Sequence, residues 1–170
     1  GSFAGRANKL LFEILQEDTS QPQGKRTLSE ALKTSGAKEL LLGFESNRTR
    51  PLHKVLKIKE QYNQDKQTVT LTDFSPGDHL DWPQEATHVV FASATANWDP
   101  ENDTFHSCYS QEIILDKESP MQTITLTTAK PQGNNLQLSF LFIGFAIQQR
   151  KKFKMLHRKN NTATLIAYHN

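Results

Sequence analysis

The spacing of apolar positions changes close to residue 50. Before that point, apolar residues recur at steps of three and four, which is typical of an amphipathic helix. After Pro51, β-branched and aromatic residues alternate with polar ones in short runs that end at turn residues, which is typical of β-strands. The pattern therefore predicts a helical segment over residues 1–50 and a β domain over residues 51–170.

The first predicted helix extends from Phe3 to about Gln16. Its apolar stripe is formed by six residues at helical spacing, which are Phe3, Ala7, Leu10, Leu11, Ile14 and Leu15. A stripe of this width needs an apolar surface to cover it. We expect the helix to pack on the β domain or to mediate assembly with a neighbouring chain.

A second, shorter helix is predicted after a polar loop. Residues 17–25 contain Pro and Gly and no large apolar side chain, which is typical of a loop. Thr27 and Glu30 have the spacing of a capping box, and the helix that follows includes residues 28–32. The run at residues 39–44 fits a further helical turn or a buried strand, and its short length leaves both open.

The β domain is predicted to contain roughly seven to nine short strands separated by turns. The predicted strands lie at residues 55–62, 68–72, 87–96, 105–115, 123–128, 136–148, 152–156 and 162–168. No helical pattern separates them, which argues against a parallel α/β sheet. The predicted fold class is mainly β with N-terminal helices (α+β), and its β domain is an antiparallel β-sandwich, immunoglobulin-like in outline.

Composition adds a size limit and a charge balance. The chain has 170 residues, 36% of them hydrophobic, and a formal net charge of +2. This length fits one domain with a small appendage, and the charge gives no overall attraction to nucleic acid or membranes, so any basic function is local. The longest apolar runs, at residues 40–44 and 138–147, fall short of the roughly 20 residues that span a bilayer, so no membrane span is predicted.

Signatures of covalent and cofactor chemistry are missing from the sequence. Cys108 is the single cysteine, which excludes an intramolecular disulfide and a multi-cysteine metal cluster. The chain contains no Gly-x-Ser-x-Gly, no glycine-rich phosphate loop followed by lysine, and no His-Glu-x-x-His. We therefore predict no catalytic residue, no cofactor and no enzyme activity.

Two short stretches contain metal-ligand residue types. Asp78, His79 and Asp81 share one loop. His106 and Cys108 project from the same side of a predicted strand, because residues i and i+2 point the same way. Each stretch lacks the third or fourth ligand of a zinc site unless a distant histidine folds beside it. The sequence therefore predicts no metal site.

Several stretches together resemble a known group of proteins. They are residues 41–47 (Leu-Leu-Gly-Phe-Glu-Ser-Asn) with Pro51-Leu52 after them, residues 86–89 (Ala-Thr-His-Val) with residues 94–97 after them, and the strand at residues 142–149 with its return at residues 162–168. The N-terminal Phe3-Ala4-Gly5-Arg6-Ala7 fits the same comparison. In these features the chain resembles a group of uncharacterised bacterial proteins found mainly in Bacteroidetes.

The resemblance covers most of the chain and implies a fold without an activity. Members of the group are similar in having an N-terminal helical segment, a C-terminal β-sandwich-like domain and a further N-terminal piece rich in strands. No function is established for the group. This chain departs from it where an uncharged hairpin turn is replaced by Arg150-Lys151-Lys152-Phe153-Lys154, so a function of that turn would be particular to this chain.

A dense basic run provides the first candidate site. Its cations are Arg150, Lys151, Lys152, Lys154, Arg158 and Lys159. Such a run neutralises nucleic-acid phosphates, and Phe153 offers a ring that stacks on bases. Arg48 and Arg50 extend the run if they fold nearby. A solvated edge hairpin, in which lysines block edge-to-edge pairing while Phe153 and Met155 face inward, explains the same pattern and is the interpretation we favour.

Aromatic residues near predicted loops form the second candidate site. Trp82, Trp98 and Tyr109 flank predicted strands, with Asp81 and Asn102 in the neighbouring loops. Rings of this kind stack on sugars while polar groups bond the sugar hydroxyls. The alternative is that the rings plug the ends of the sandwich, and we favour that interpretation.

The sequence as a whole predicts a non-catalytic β-sandwich binding or structural module that acts through protein–protein assembly, with itself or with a neighbouring chain. Nucleic-acid binding through the basic hairpin at residues 150–159 is one alternative, and carbohydrate binding at the aromatic loops is another. The chain begins with Gly1-Ser2 and no methionine, which fits a trimmed start, so the sequence assigns no compartment.

Overall fold

The structure, a computed structural model, describes residues 45, 47, 49–99, 101–102 and 104–169. Within these residues, nine β-strands form two sheets, and every strand pair is antiparallel. The predicted antiparallel, β-rich architecture is confirmed at this level. The helices predicted at residues 3–16 and 27–32 and the ambiguous run at residues 39–44 lie outside the described residues.

Two short helices and a 3₁₀ turn accompany the strands. In chain order the elements are α1 (Leu52–Val55), β1 (Gln61–Asn63), β2 (Thr68–Phe74), α2 (Pro76–His79), β3 (His88–Asp99), β4 (Thr104–Tyr109), β5 (Ile113–Asp116), β6 (Gln122–Thr127), β7 (Leu136–Gln149), β8 (Lys152–Met155), the 3₁₀ turn (Arg158–Asn160) and β9 (Thr162–His169). Six predicted strands are confirmed, as β2, β3, β6, β7, β8 and β9.

The strand predicted at residues 55–62 is wrong over most of its length. Residues 52–55 form the helical turn α1, and only Gln61–Asn63 are in a strand. Pro51 has a φ of −68° just before the helix, and the turn places Leu52 and Val55 on one buried side. A helical turn lets both apolar side chains enter the core, whereas a strand would place them on opposite faces.

The strand predicted at residues 105–115 is divided in two. β4 pairs with residues 94–99 of β3, and β5 pairs with residues 88–91 of the same strand. Ser110 lies in the gap and is held against β3, because its Oγ accepts from the N–H of Ser93 at 2.8 Å and its own N–H donates to the Ser93 carbonyl at 3.0 Å. The predicted long strand is therefore two short strands, and both of them pair with β3.

The larger sheet is built around β3 and β7. These strands pair continuously from His88 with Ala146 to Trp98 with Leu136. β4 and β5 flank β3, while β8 and β9 flank β7. Because side chains alternate along a strand, odd-numbered residues of β3 and β7 point to the inner face of this sheet and even-numbered residues point to its outer face.

The smaller sheet has the order β1-β2-β6 and covers the inner face. Its buried side chains are Val69, Leu71, Phe74, Ile124 and Leu126. Its opposite face is lined by threonines of β2 and β6, and the hydroxyls of Thr68 and Thr127 are 2.9 Å apart. The alternation of apolar and polar residues in these strands is therefore the alternation of core and solvent.

An inner apolar cluster joins the two sheets. Phe74 of the smaller sheet meets Phe91 of the larger sheet edge to face, with ring centroids 5.4 Å apart and an interplanar angle of 89°. Phe145 and Leu141 extend the cluster from β7, and Val55 adds to it from α1. Each large side chain that is fully buried here contributes about 1.5–3 kcal/mol.

The other end of the same interior is polar. Thr95 and Asn97 of β3 and Gln137 of β7 are all buried there. The Thr128 hydroxyl donates to the Thr95 hydroxyl at 2.7 Å. A side chain at Gly133, whose φ is 121°, would collide with the Asn97 amide, so glycine is required where this loop crosses the end of the sheets.

The outer face of the larger sheet is also buried and apolar. Its buried residues are Val90, Ala92, Ala94, Trp98, Leu136, Leu138, Phe140, Phe142, Ala163 and Leu165, which we call the outer cluster. The described strands outside the larger sheet and the helix α1 place their buried side chains in the inner cluster instead. Every one of these ten residues belongs to β3, β7 or β9.

Candidate functional site

The six cations of the basic run lie on one hairpin and the turn that follows it. Arg150 and Lys151 form the two-residue tip between β7 and β8, and the Gln149–Lys152 pair closes the tip. All six side chains are exposed, and we call them the basic strip; they are Arg150, Lys151, Lys152, Lys154, Arg158 and Lys159. The hairpin thus presents a continuous stretch of cationic side chains to solvent.

The two sides of β8 have different neighbours. Lys152 and Lys154 are exposed on one side of the strand. Phe153 and Met155 are half-buried on the other, where Phe153 meets the His88 ring edge to face at 5.0 Å and Met155 packs against the outer cluster. The Phe153 ring is therefore engaged within the protein, and the cations are the groups that β8 offers to a partner.

The hairpin tip contains a strained backbone position. Arg150 has a φ of 56°, in the left-handed region that favours glycine. Two-residue hairpin tips usually place Gly or Asn at such a position. Arginine at this position costs free energy of folding that glycine would not, and Gln67 and Asp73, with φ values of 48° and 50°, share this backbone conformation.

Charge is unevenly distributed along the chain. All 18 acidic residues precede residue 119, while seven of the 20 cations follow it, which gives a formal charge of −5 for residues 1–118 and +7 for residues 119–170. The ion pairs between described residues involve Asp81, Glu60 and Asp116, and none of them includes a lysine of the basic strip. The four lysines of the strip therefore have no carboxylate partner among the described residues.

The turn that follows β8 is anchored to the start of the described chain. The Asn47 amide donates to the carbonyls of Lys159 and Asn161, at 2.9 Å each. The His157 ring accepts from the N–H of Lys159 at 3.1 Å. These bonds hold the backbone of the turn in place, so Arg158 and Lys159 project from a fixed support.

Arg50 does not extend the basic strip. Its guanidinium donates to the Asp81 carboxylate at 2.7 Å and to the Asp81 carbonyl at 2.8 Å, and it lies 5.6 Å from the centre of the Phe145 ring. Its charge is matched locally by Asp81. Arg48, which the sequence also suggested, lies outside the described residues.

The structure does not bring the two tryptophans together. Trp82 packs against Phe145 at 5.3 Å on the inner side, donates its N–H to the Pro76 carbonyl at 2.8 Å, and has the Lys117 ammonium 5.5 Å from its ring. Trp98 belongs to the outer cluster and is 6% exposed. The two rings lie on opposite faces of the larger sheet, so they do not form one sugar platform.

Tyr109 pairs with Ala94 of β3, packs against the outer cluster and is half-buried. Burial raises the pKa of its hydroxyl to about 12. A hydrogen bond with the Ser107 side chain acts in the opposite direction but is the weaker influence. The Tyr109 oxygen is buried, so this residue does not present its hydroxyl at a loop surface.

The metal-ligand stretches remain incomplete. His79 Nδ1 accepts from the N–H of Ser75 at 2.9 Å, so it serves the local turn. His106 and Cys108 project to the same side of β4, as their spacing predicts. No group of three or more His, Cys, Asp or Glu residues that would hold a metal ion occurs in the described part of the chain.

The structure shows one cavity that the sequence did not indicate. It has a volume of about 620 Å³ beside β9 and α1, and its polar lining includes Glu45, His53, Lys57, Glu60 and Thr164. Glu45 accepts from the Thr164 hydroxyl at 2.6 Å and from the Leu52 N–H at 2.9 Å, and burial raises the pKa of its carboxyl. Glu45 and Thr164 are 119 positions apart in sequence, so no local motif connects the two sides of the cavity.

Comparisons of the chain with protein-family models, curated proteins and solved structures find no match. None of the helices in the described part of the chain is long and apolar enough to cross a membrane. The geometry of the described residues is therefore the basis for the proposal that follows.

Proposed function

We propose that this protein is a non-catalytic β-sandwich module, immunoglobulin-like in outline, that binds the phosphate backbone of a nucleic acid. The contact surface is the basic strip. The observation that carries the proposal is the exposure of six cations on one hairpin and its following turn, with no described carboxylate within 4.0 Å of the four lysines. Lysines and arginines arranged in this way displace counterions from phosphates, which supplies most of non-specific affinity.

The proposed contact is with phosphates and not with bases. A base would need an open ring on which to stack, and the Phe153 ring of this hairpin packs against His88. Binding should therefore depend strongly on salt and weakly on base sequence.

Edge protection explains only part of the basic strip. β8 is an edge strand among the described strands, and Lys152 and Lys154 along it hinder pairing with another chain. Arg150 and Lys151 lie in the tip, and Lys159 lies in the 3₁₀ turn, so they do not protect that strand.

Protein–protein assembly, the first function predicted from sequence, stays a prediction. The large apolar side chains exposed in the described part are Ile114 and Met121, and two separate side chains do not make an apolar docking patch. Carbohydrate binding has less support, because Trp82 and Trp98 lie on opposite faces.

Fluorescence anisotropy with a labelled, single-stranded, mixed-sequence oligonucleotide tests the proposal. If six phosphates are contacted, affinity should fall roughly 300-fold between about 50 and about 200 mM salt, because each phosphate contact adds about −0.7 to the logarithmic salt slope. The triple reversal Lys151→Glu, Lys152→Glu and Lys154→Glu should abolish binding at the higher salt.

A matched reversal separates the local site from the total charge. Lys54→Glu, Lys66→Glu and Lys130→Glu change the same number of exposed lysines away from the hairpin. This control should retain most of the affinity. Equal losses in the two triple variants, or no binding by the wild-type protein at low salt, would show that the strip is a solvated, edge-protecting surface.

A further inference from the structure

The cavity beside β9 and α1, which we call the Glu45 cavity, has the size of a small-molecule site. Its volume of about 620 Å³ lies within the range of about 300–1,000 Å³ that is typical of ligand pockets. The apolar part of its lining is aliphatic and includes Leu52, Leu56, Ile58 and Ile166. Such a lining suits a hydrocarbon group of a ligand.

The Glu45 carboxylate is held in a fixed position at this cavity. The residue forms an antiparallel bridge with Thr164 of β9. One carboxylate oxygen accepts from the Thr164 hydroxyl at 2.6 Å, and the other accepts from the Leu52 N–H at 2.9 Å. A carboxylate has about four lone-pair sites, so each oxygen can accept from one further donor. Glu45 is thus oriented by the protein and still able to bind a ligand.

The charges around Glu45 leave its carboxylate without an ion-pair partner among the described residues. No described nitrogen of a lysine, arginine or histidine lies within 4.0 Å of it. Lys59 pairs with Glu60 at 3.6 Å, and His53 and Lys57 are exposed. β9 adds no charged side chain to the described lining. Because a partly buried charge is screened less than an exposed one, Glu45 would gain more from an added cation than the exposed cations would gain from an added anion.

We propose that the Glu45 cavity binds a small aliphatic amine, whose ammonium group donates to the Glu45 carboxylate while its hydrocarbon chain contacts the aliphatic lining. An ammonium group has three donors and no acceptor, which matches the unused acceptor sites of Glu45. This proposal does not depend on nucleic-acid binding, because no residue of the basic strip lines the described part of the cavity.

An NMR titration of isotope-labelled protein with hexylammonium chloride tests the proposal. The Leu52 amide is the reporter, because its N–H is bonded to Glu45, and its signal should shift on binding. Hexan-1-ol, which has the same chain and no charge, should bind about tenfold more weakly or less, because hydrogen bonds between charged groups are the stronger ones. Hexanoate should bind more weakly still. An unchanged Leu52 signal, or equal or tighter binding of the alcohol or the carboxylate, would overturn the proposal.

Two glutamate variants identify the group that binds the amine. Glu45→Gln keeps the shape of the side chain and should lower the affinity for hexylammonium by about tenfold or more. Glu60→Gln is the matched control, because it removes a carboxylate that is already paired with Lys59 in the same lining. It should retain most of the affinity. Equal losses in the two variants would overturn the proposal, and if Glu45→Gln does not fold, the pH profile decides.

The pH profile is measured in the double variant His53→Gln with Glu60→Gln. These changes remove the other described lining groups, besides Glu45, that titrate between about pH 4 and about pH 7, a range in which lysine side chains and hexylammonium keep their charge. The affinity for hexylammonium should rise with pH as Glu45 ionises. A profile that does not rise would overturn the proposal.

Discussion

Glu45 connects parts of the chain that are far apart in sequence. Its carboxylate accepts from Thr164, 119 positions away, and from the Leu52 N–H. Burial is the largest influence on this group, and it raises the pKa of the carboxyl above the ordinary value of 4.5, although the two hydrogen bonds act in the opposite direction. The folded protein therefore binds this proton more tightly than the unfolded chain does.

Glu45→Gln should remove a pH-dependent part of the stability. Because the folded pKa is raised, the stabilising contribution of wild-type Glu45 is complete below its unfolded pKa and is lost as the pH rises through the folded pKa. The unfolding free energy of the wild type relative to Glu45→Gln should fall as the pH rises from about 4 to about 7, as urea denaturation would measure.

Thr164→Val provides the contrasting variant. It removes a donor that favours the ionised carboxylate, so the loss of stability with rising pH should become steeper than in the wild type. A wild-type and Glu45→Gln difference that stays constant over this pH range would show that the carboxyl titrates alike in the folded and unfolded states.

The sequence indicates which residue types could form a site, but it does not indicate which distant residues contact one another. Arg50 and Asp81 were both named as candidates for other roles, and the structure joins them in one ion pair. The cavity beside Glu45 depends on the approach of β9 to α1, which no local spacing encodes. The basic strip was found because its six cations are local in sequence.

At the scale of elements, the β7–β8 hairpin combines strain with charge. Arg150→Gly should raise the free energy of unfolding by about 1 kcal/mol, because glycine adopts a φ of 56° without a Cβ penalty. The same change should weaken oligonucleotide binding, because one cation of the strip is lost. Urea denaturation and anisotropy would measure the two effects on the same preparation.

Lys151→Gly is the matched control for this hairpin. It removes an equal charge from the same tip, but Lys151 is not among the described non-glycine residues with positive φ. It should therefore weaken binding without raising stability. If Arg150→Gly is no more stable than Lys151→Gly, the backbone at residue 150 is not a source of strain.

Strand positions were predictable where alternation or a long apolar run was strong. The predictions failed at residues 55–62 and at Ser110 because tertiary contacts decide both places. α1 forms because the core accepts Leu52 and Val55 from one side, and β4 ends because Ser110 is bound to Ser93 on β3. The sequence does not reveal which distant strand supplies the competing contact.

At the scale of the whole molecule, one pair of rings couples the two sheets. In a double-mutant cycle of Phe74→Leu and Phe91→Leu, the coupling energy should be about 0.5–1.5 kcal/mol, as expected for an edge-to-face aromatic pair. Phe142 lies on the opposite face of β7, so a cycle of Phe74→Leu with Phe142→Leu should give a coupling energy near zero. Equal coupling in the two cycles would mean that the faces do not act separately.

The burial of the larger sheet on both faces was visible in the sequence only indirectly. The run from Leu138 to Phe142 is continuously apolar except for Ser139, and the neighbouring strand β3 has alanines at alternate positions. Continuous apolar strands are typical of sheets covered on both sides. Alternation and apolar runs predict where the strands lie, whereas the two faces are assigned by the pairing of β3 with β7.

The edge strands β8 and β6 differ in how readily an extended segment of another chain can pair with them. β8 presents Lys152 and Lys154, whereas β6 contains no charged residue and exposes Thr123, Thr125 and Thr127. β6 is the last strand of its sheet among the described strands, so its outer backbone groups offer a template for another extended chain. Of these two edges, β6 is therefore the one at which we expect aggregation at high concentration to start.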